Sequence, residues 1–326
     1  MRRREFIAGL SSAAVPVLQP FAARAQQAIP VIGFLNSTSH AVTTHLFAAY
    51  RQGLKETGFI DGQNVAAEYR WAENQLDRLP SLAAELIRRP VAVIVGNSPS
   101  ALAAKAATTS IPIVFTTGGD PVQDGLVTSL NRPGGNVTGV SFLGAVVGAK
   151  RLDLLRQIVP KATTIALLVN PNSPATDAER REVQAAAPAV GLQLTVADVG
   201  AVGDLETTFA TFVERGVSAL LIGGGAFLFS NRERIVALAA RHALPAIYTQ
   251  REHAVAGGLM SYGTSQTDAY RRAGVYAGRI LKGERPGDLP VLQAAKFEFV
   301  INLKTAKTLG LEFNPQLLSI ADELIE

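Results

Sequence analysis

The amino-acid sequence predicts an α/β protein made of two doubly wound parallel-sheet lobes. Three observations carry this prediction. The chain has 326 residues, more than a single hydrophobic core usually organises. Short, continuously apolar runs alternate with longer segments of helical spacing, as expected for strands covered on both faces by helices. The alternation runs to Phe142 and starts again at Lys150, giving two series of similar length.

In the first series, Val31 to Asn36 is an apolar strand ending in a polar turn. Thr44 to Thr57 is a helix: Leu46, Phe47, Tyr50 and Leu54 fall on one face, and Gly58 ends it. Val65–Tyr69 is a strand, and Leu76–Arg88 a helix halted before Pro90. Val91–Val95 is a buried-type strand, followed by Gly96-Asn97-Ser98-Pro99 and an alanine-rich helix. Ile111–Phe115 and Asn136–Phe142 are strands.

The second series begins with a helix at Lys150–Val159 and a strand at Thr164–Val169, stopped by Asn170-Pro171-Asn172-Ser173-Pro174. A helix to Pro188, a strand at Leu192–Val196 and a helix at Asp204–Arg215 follow. Val217–Ile222 is a strand ending in Gly223-Gly224-Gly225, Arg232–His242 a helix, and Pro245–Tyr248 a short strand.

Composition narrows the function. With 48% hydrophobic and 18% charged residues the chain is globular. Three of its four net positive charges lie in residues 1–25, where Arg2, Arg3, Arg4 and Arg24 face only Glu5. The remainder is close to neutral and has no basic stripe with interleaved aromatics, so no nucleic-acid partner is expected. There is no cysteine, which excludes disulfides, thiolate catalysis, Cys-ligated zinc and a lipid-bearing cysteine.

The N-terminus reads as an address. A basic start is followed by a mildly apolar stretch, Phe6 to Leu18, and then by Ala23-Arg24-Ala25, the small-x-small pattern of a signal-peptidase site. Arg3-Arg4 before Glu5, Phe6 and Ile7 resembles a twin-arginine signal, with a general-secretory signal as the alternative. Residues 1–25 are therefore expected to be cleaved, leaving Gln26 first and the protein in the periplasm.

Ligands of doubly wound sheets sit beyond the C-terminal ends of the strands, where helix N-termini present free N–H groups. Those ends carry Asn36-Ser37-Thr38, Asn97-Ser98, Thr116-Thr117-Gly118, Asn170 and Tyr248. They are small polar groups suited to hydrogen-bonding a small polar solute, or alternatively to capping helices. Catalytic and cofactor signatures are missing. There is no Gly-x-Gly-x-x-Gly after the first strand, no phosphate-binding loop, no Gly-x-Ser-x-Gly elbow and no His-Glu-x-x-His pair. Asp120 has no recognisable nucleophile or orienting partner. No metal, no cofactor and no enzymatic activity are expected.

Three stretches then carry a resemblance. One runs from Ile111-Pro112-Ile113-Val114-Phe115 through Asp120-Pro121-Val122 to Arg132-Pro133-Gly134-Gly135-Asn136-Val137-Thr138-Gly139. Another joins Leu244-Pro245-Ala246-Ile247-Tyr248, Gly257-Gly258-Leu259-Met260-Ser261-Tyr262-Gly263 and Tyr276-Ala277-Gly278-Arg279-Ile280. The third is Lys296-Phe297-Glu298-Phe299-Val300-Ile301-Asn302 onward. Together they resemble the ABC-transporter substrate-binding family whose better-understood members handle tryptophan and tyrosine.

The resemblance implies a type 1 periplasmic-binding-protein fold with a hinge between the lobes. It returns the helix around Thr267–Lys282 to the first lobe, so that residues 26–143 and 265–294 form one lobe and 144–264 and 295–326 the other. It implies capture of a small polar or aromatic, amino-acid-like solute between the lobes, with membrane permease subunits as partners. A ligand sensor or a secreted α/β enzyme on the same scaffold is the alternative. The cleft residues expected from the strand ends and the resemblance are Asn36, Ser37, Asn97, Ser98, Thr117, Asp120, Asn170, Tyr248 and Tyr262. One departure stands out. Relatives often carry an acidic residue soon after the strand that is Val217–Ile222 here, where this chain has Gly223-Gly224-Gly225-Ala226-Phe227. Recognition of a ligand ammonium group therefore does not carry over.

Overall fold

Alternation along each strand builds two core layers per sheet. In the first strand Phe34 faces one side and Leu35 the other, both essentially inaccessible to solvent. The computed structural model describes residues 29–142, 147–173, 176–294 and 296–326; the expected leader lies outside them. The first part of the chain forms β1 (Val31–Asn36), α1 (His40–Glu56), β2 (Ala66–Trp71), α2 (Leu79–Ile87), β3 (Val91–Asn97), α3 (Ser98–Ala107), β4 (Ile113–Thr117) and β5 (Val137–Phe142). Next come α4 (Gly148–Ile158), β6 (Thr164–Val169), α5 (Thr176–Ala189), β7 (Gln193–Asp198), α6 (Asp204–Glu214), β8 (Ala219–Ile222), α7 (Ala226–Ser230), α8 (Arg232–Arg241), β9 (Ala246–Tyr248), α9 (Arg251–Val255) and β10 (Met260–Thr264). The chain ends with α10 (Gln266–Leu281), β11 (Leu292–Ala294), β12 (Phe297–Asn302), α11 (Leu303–Thr308), α12 (Pro315–Ser319) and β13 (Glu323–Ile325).

The first sheet has the order β11-β5-β4-β3-β1-β2 and every pairing in it is parallel. Phe34, Val93, Val95 and Val114 pack on one face against α1 and α10. Leu35, Ile94, Ile113 and Phe115 pack on the other against α2 and α3. The second sheet, β13-β12-β10-β9-β8-β6-β7, contains one antiparallel pairing, β10 with β12. Its two faces are equally dry: Ile165, Leu167 and Leu221 meet α4 and α5, while Leu168, Leu220 and Ile222 meet Phe209, Phe212 and Ile235 of α6 and α8.

The chain passes between the sheets at three places: after β5, between β10 and α10, and between β11 and β12. The second passage sends α10 back onto α1. Glycines let the two helices approach closely. A Cβ on Gly274 would lie 2.1 Å from the Tyr50 carbonyl oxygen, and one on Gly53 would lie 1.7 Å from that of Arg271. Ser265 caps α10 by accepting from the Asp268 N–H at 3.3 Å.

Two differences from the sequence expectation have simple causes. The helix expected from Leu76 divides into a 3-10 turn, Leu76–Arg78, and α2, with Pro80 in the first turn of α2, where its missing N–H costs no bond. The five-residue helices α7, α9 and α12 go unpredicted because so short a segment shows no periodicity.

Candidate functional site

The C-terminal strand ends of both sheets converge on one cavity. On the first-lobe side it is lined by Asn36, Thr38, Asn97, Ser98, Thr116 and Thr117. From the second sheet and the passage back come Asn170, Asn172, Ser173, Thr249, Gln250 and Thr264. Leu46, Leu76, Phe142, Phe227 and Phe229 supply apolar wall. Phe229 of α7 packs among the first-lobe aromatics, and Ser230 Oγ donates to Asn74 Oδ1 at 3.0 Å. Outside that cavity, His45 Nε2 of α1 pairs with Glu252 Oε1 of α9 at 2.8 Å.

Much of the polar lining is already committed to holding the turns. Asn36 Oδ1 accepts from both the N–H and the hydroxyl of Thr38, at 3.0 and 2.9 Å. Asn170 donates to the Val199 carbonyl at 2.9 Å and accepts from the Asn172 N–H at 2.9 Å, so it shapes the β6 turn. Thr117 Oγ1 accepts from the Gly119 N–H at 3.0 Å. Ser37 is buried but does not line the cavity; its Oγ accepts from Asn97 Nδ2 at 2.6 Å and so fixes Asn97.

Other groups are left without partners. The hydroxyls of Ser98 and Thr264 line the cavity, are inaccessible to solvent and have no hydrogen-bond partner. Ser98 opens α3, whose N-cap Asn97 makes no side-chain cap; Asn97 Oδ1 accepts instead from the Ser37 N–H and the Ser100 hydroxyl. The start of α3 thus has no side-chain cap and, although Pro99 brings no N–H, sets the orphaned Ser98 hydroxyl at the positive end of the helix beside the cavity, a polar subsite suited to an acceptor or an anion.

Besides Ser37, three more expected cleft residues lie outside the cavity lining. Tyr248 ends the three-residue β9, in which Ile247 faces α4 and α5 while Tyr248 faces α6 and α8. Its ring is 1% exposed and stacks on His253 at 4.9 Å, and burial pushes the phenol pKa upward. Tyr262 lies opposite Phe299 in the antiparallel pair and stacks on Phe297 at 5.9 Å; the next two residues, Gly263 and Thr264, reach the cavity instead. Asp120 is exposed and outside the cavity lining, and its Oδ1 accepts from the N–H groups of Val122 and Gln123 at 2.8 and 3.2 Å, so it caps the turn that follows it.

The sequence reading missed an ion pair below the second-lobe side. Arg151 of α4 donates through one guanidinium nitrogen to Glu179 Oε1 of α5 and through another to the Ile222 carbonyl at 2.9 Å. Glu179 Oε2 accepts from the Gly224 N–H at 3.0 Å. The two side chains are 0% and 3% exposed, so the pair braces the glycine turn after β8 from beneath. Its partners lie 28 residues apart on two helices, a separation that carries no motif. Tyr270 of α10 was also missed: it is buried, lines the cavity and receives Asn36 Nδ2 at 3.4 Å.

Two lobes of this topology, with a cavity between their strand ends, define a type 1 periplasmic-binding-protein fold. The model of the ABC transporter substrate binding protein family matches residues 31–325, and the chain belongs to that family. A tyrosine-binding protein of Clostridioides difficile (strain R20291) is 26% identical over 282 residues, covering 86% of this chain and 81% of that one. The structure of an ABC domain in complex with L-Trp from Streptococcus pneumoniae superposes with a TM-score of 0.84 at 26% identity, covering 91% of this chain and 99% of that one. The ligand-free, open structure of a substrate binding protein with adhesive properties from Clostridium difficile has the same coverage at 25% identity, but a TM-score of 0.68.

Proposed function

We propose that this protein is the periplasmic solute-capturing component of an ABC-type uptake system, closing its lobes on a small polar or aromatic solute. The carrying observation is the cavity itself. Both sides contribute hydrogen-bonding groups, and the hydroxyls of Ser98 and Thr264 are buried there without partners. Orphaned buried hydroxyls cost free energy that a bound solute recovers. The better superposition on the L-Trp complex than on the open, ligand-free structure supports capture by closure. In this reading the polar end of the solute meets the first turn of α3, and its flat or apolar body rests among Phe142, Phe227 and Phe229. The closed form is then read by membrane permease subunits, and residues 1–25 direct export by the twin-arginine route. Capture requires no chemical step.

The test is a thermal-shift screen of the chain beginning at Gln26 against amino acids, aromatic acids and nucleobases, followed by small-angle scattering with each hit. A solute that raises the melting temperature should also shrink the radius of gyration. Saturation with no change in radius would remove closure from the proposal. Export is checked separately: Arg3→Lys with Arg4→Lys should abolish periplasmic yield, and unchanged yield would exclude the twin-arginine route.

A further inference from the structure

The charge inventory of the cavity is unusually short. Among the described residues that line it there is no Lys, Arg or His, and the only carboxylate is Glu179. That carboxylate is spent: one oxygen takes the Arg151 guanidinium and the other the Gly224 N–H, with both side chains buried. The pair has no net charge to offer a third group. Residues 143–146 and 174–175, which are not described, are Leu, Gly, Ala, Val, Pro and Ala and carry no ionisable side chain. What remains is uncharged: the N-terminus of α3 with its orphaned Ser98 hydroxyl, the unpartnered hydroxyls of Thr116 and Thr264, neutral amides such as Asn172 and Gln250, and aromatic wall. An ammonium group sealed into this cavity would lose its water and find no counter-charge, whereas a carboxylate would find N–H groups and a hydroxyl.

Resting on the capture reading, we propose that the cleft selects aromatic carboxylic acids that lack a charged amine and discriminates against the corresponding α-amino acids. The glycine turn after β8 locates where the selectivity is set. A Cβ on Gly223 would come within 3.0 Å of Glu179 and the β6 backbone, and Gly225 has φ +114 with Ser173 Oγ 2.9 Å from its Cβ position. Gly224 differs from both. It lines the cavity, and a Cβ there meets only Thr249 Cγ2 at 3.9 Å and Glu179 Oε2 at 4.0 Å. A side chain fits at Gly224 without displacing backbone, so the absence of a carboxylate there is not a steric necessity.

The experiment compares two pairs of probes by calorimetry: L-tyrosine with 3-(4-hydroxyphenyl)propionate, and L-tryptophan with indole-3-propionate. In the wild-type protein at least one des-amino acid should bind ten or more times more tightly than its amino acid. Gly224→Asp should raise affinity for the amino acid of that pair at least tenfold and weaken its des-amino partner, while the uncharged Gly224→Asn should leave the wild-type order intact. Equal or tighter binding of the amino acids to the wild type overturns the proposal, as does an unchanged order in a folded Gly224→Asp variant. Absence of binding by all four probes also overturns it. The capture reading survives that last outcome if another solute of the broader screen binds and closes the lobes.

Discussion

The two sides of the cleft are built from the same strand-turn-helix units and are stabilised differently. The first-lobe side is held by neutral hydrogen bonds among Asn36, Ser37, Thr38 and Asn97, and it leaves α3 uncapped. The second-lobe side rests on the buried Arg151–Glu179 pair, which grips the backbone at Ile222 and Gly224. A neutral network can spare a donor for a guest, because losing one bond leaves no charge stranded. A buried ion pair cannot, since either partner alone is a desolvated charge. Under the proposed capture, the first side meets the polar end of the solute, whereas the buried pair of the second side serves the protein's own turn.

Removing the brace should have the largest effect. Glu179→Ala strands Arg151 and should cost about 3–5 kcal/mol in urea unfolding. Arg151→Met with Glu179→Leu should recover most of that loss; equal destabilisation by the single and double changes would show that the pair is not the brace. On the first-lobe side, Gly274→Val drives a side chain into the Tyr50 carbonyl and should cost about 3 kcal/mol.

The lobes should also differ in acid. His253, buried in the second lobe against Tyr248 with neither ring nitrogen bonded, has its pKa pushed down to about 4 by burial, from an ordinary 6.5. The unfolded chain therefore binds more protons than the folded one between those values. Stability is full above about pH 6.5 and falls as the pH drops toward 4. His253→Phe should remove this dependence, gaining about 2 kcal/mol on the wild type at pH 5 relative to pH 8 in paired denaturation curves. An equal difference at both pH values would exclude the titration. The Asp124 carboxyl, raised to about 6 by burial and by Asp120, acts in the opposite direction and is common to both proteins.

Smaller effects belong to the binding side. Ser98→Ala should leave stability within about 0.5 kcal/mol but weaken any captured solute by about 1 kcal/mol, roughly fivefold by calorimetry. Loss of folding instead would make the serine structural. Asp120→Asn should change affinity less than about threefold, because Asn caps a turn as well as Asp does. A larger loss would restore Asp120 as a ligand partner.

The layered architecture was legible because strands buried on both faces need continuous apolar runs, and Thr164–Val169 has the same limits in the sequence reading and in the structure. Side-chain direction was less legible. Tyr248 ends the expected strand and Tyr262 lies on β10, a strand the sequence reading did not name; each lies one pleat away from facing the cleft, and a single residue of register decides which face a ring takes. Asn170 and Asp120 bond the backbone of the turns that follow them, a local role related to capping although neither sits at a helix start. The Arg151–Glu179 brace had no local signature to read.

The glycine seam between α1 and α10 also bears on how the molecule is made. Part of the first lobe's core, including Ala269, Tyr270, Ala273, Tyr276 and Ala277, is supplied by a helix that follows the whole run from α4 to β10 in the chain. The lobe that begins first on the ribosome is therefore completed only after β6 to β10 of its neighbour have been made, and the neighbour in turn waits for β12 and β13. A nascent chain ending near Thr264 would expose the unfilled side of the first sheet and offer it to chaperones. Contacts of such long sequence separation make the docking of α10 a slow step in maturation.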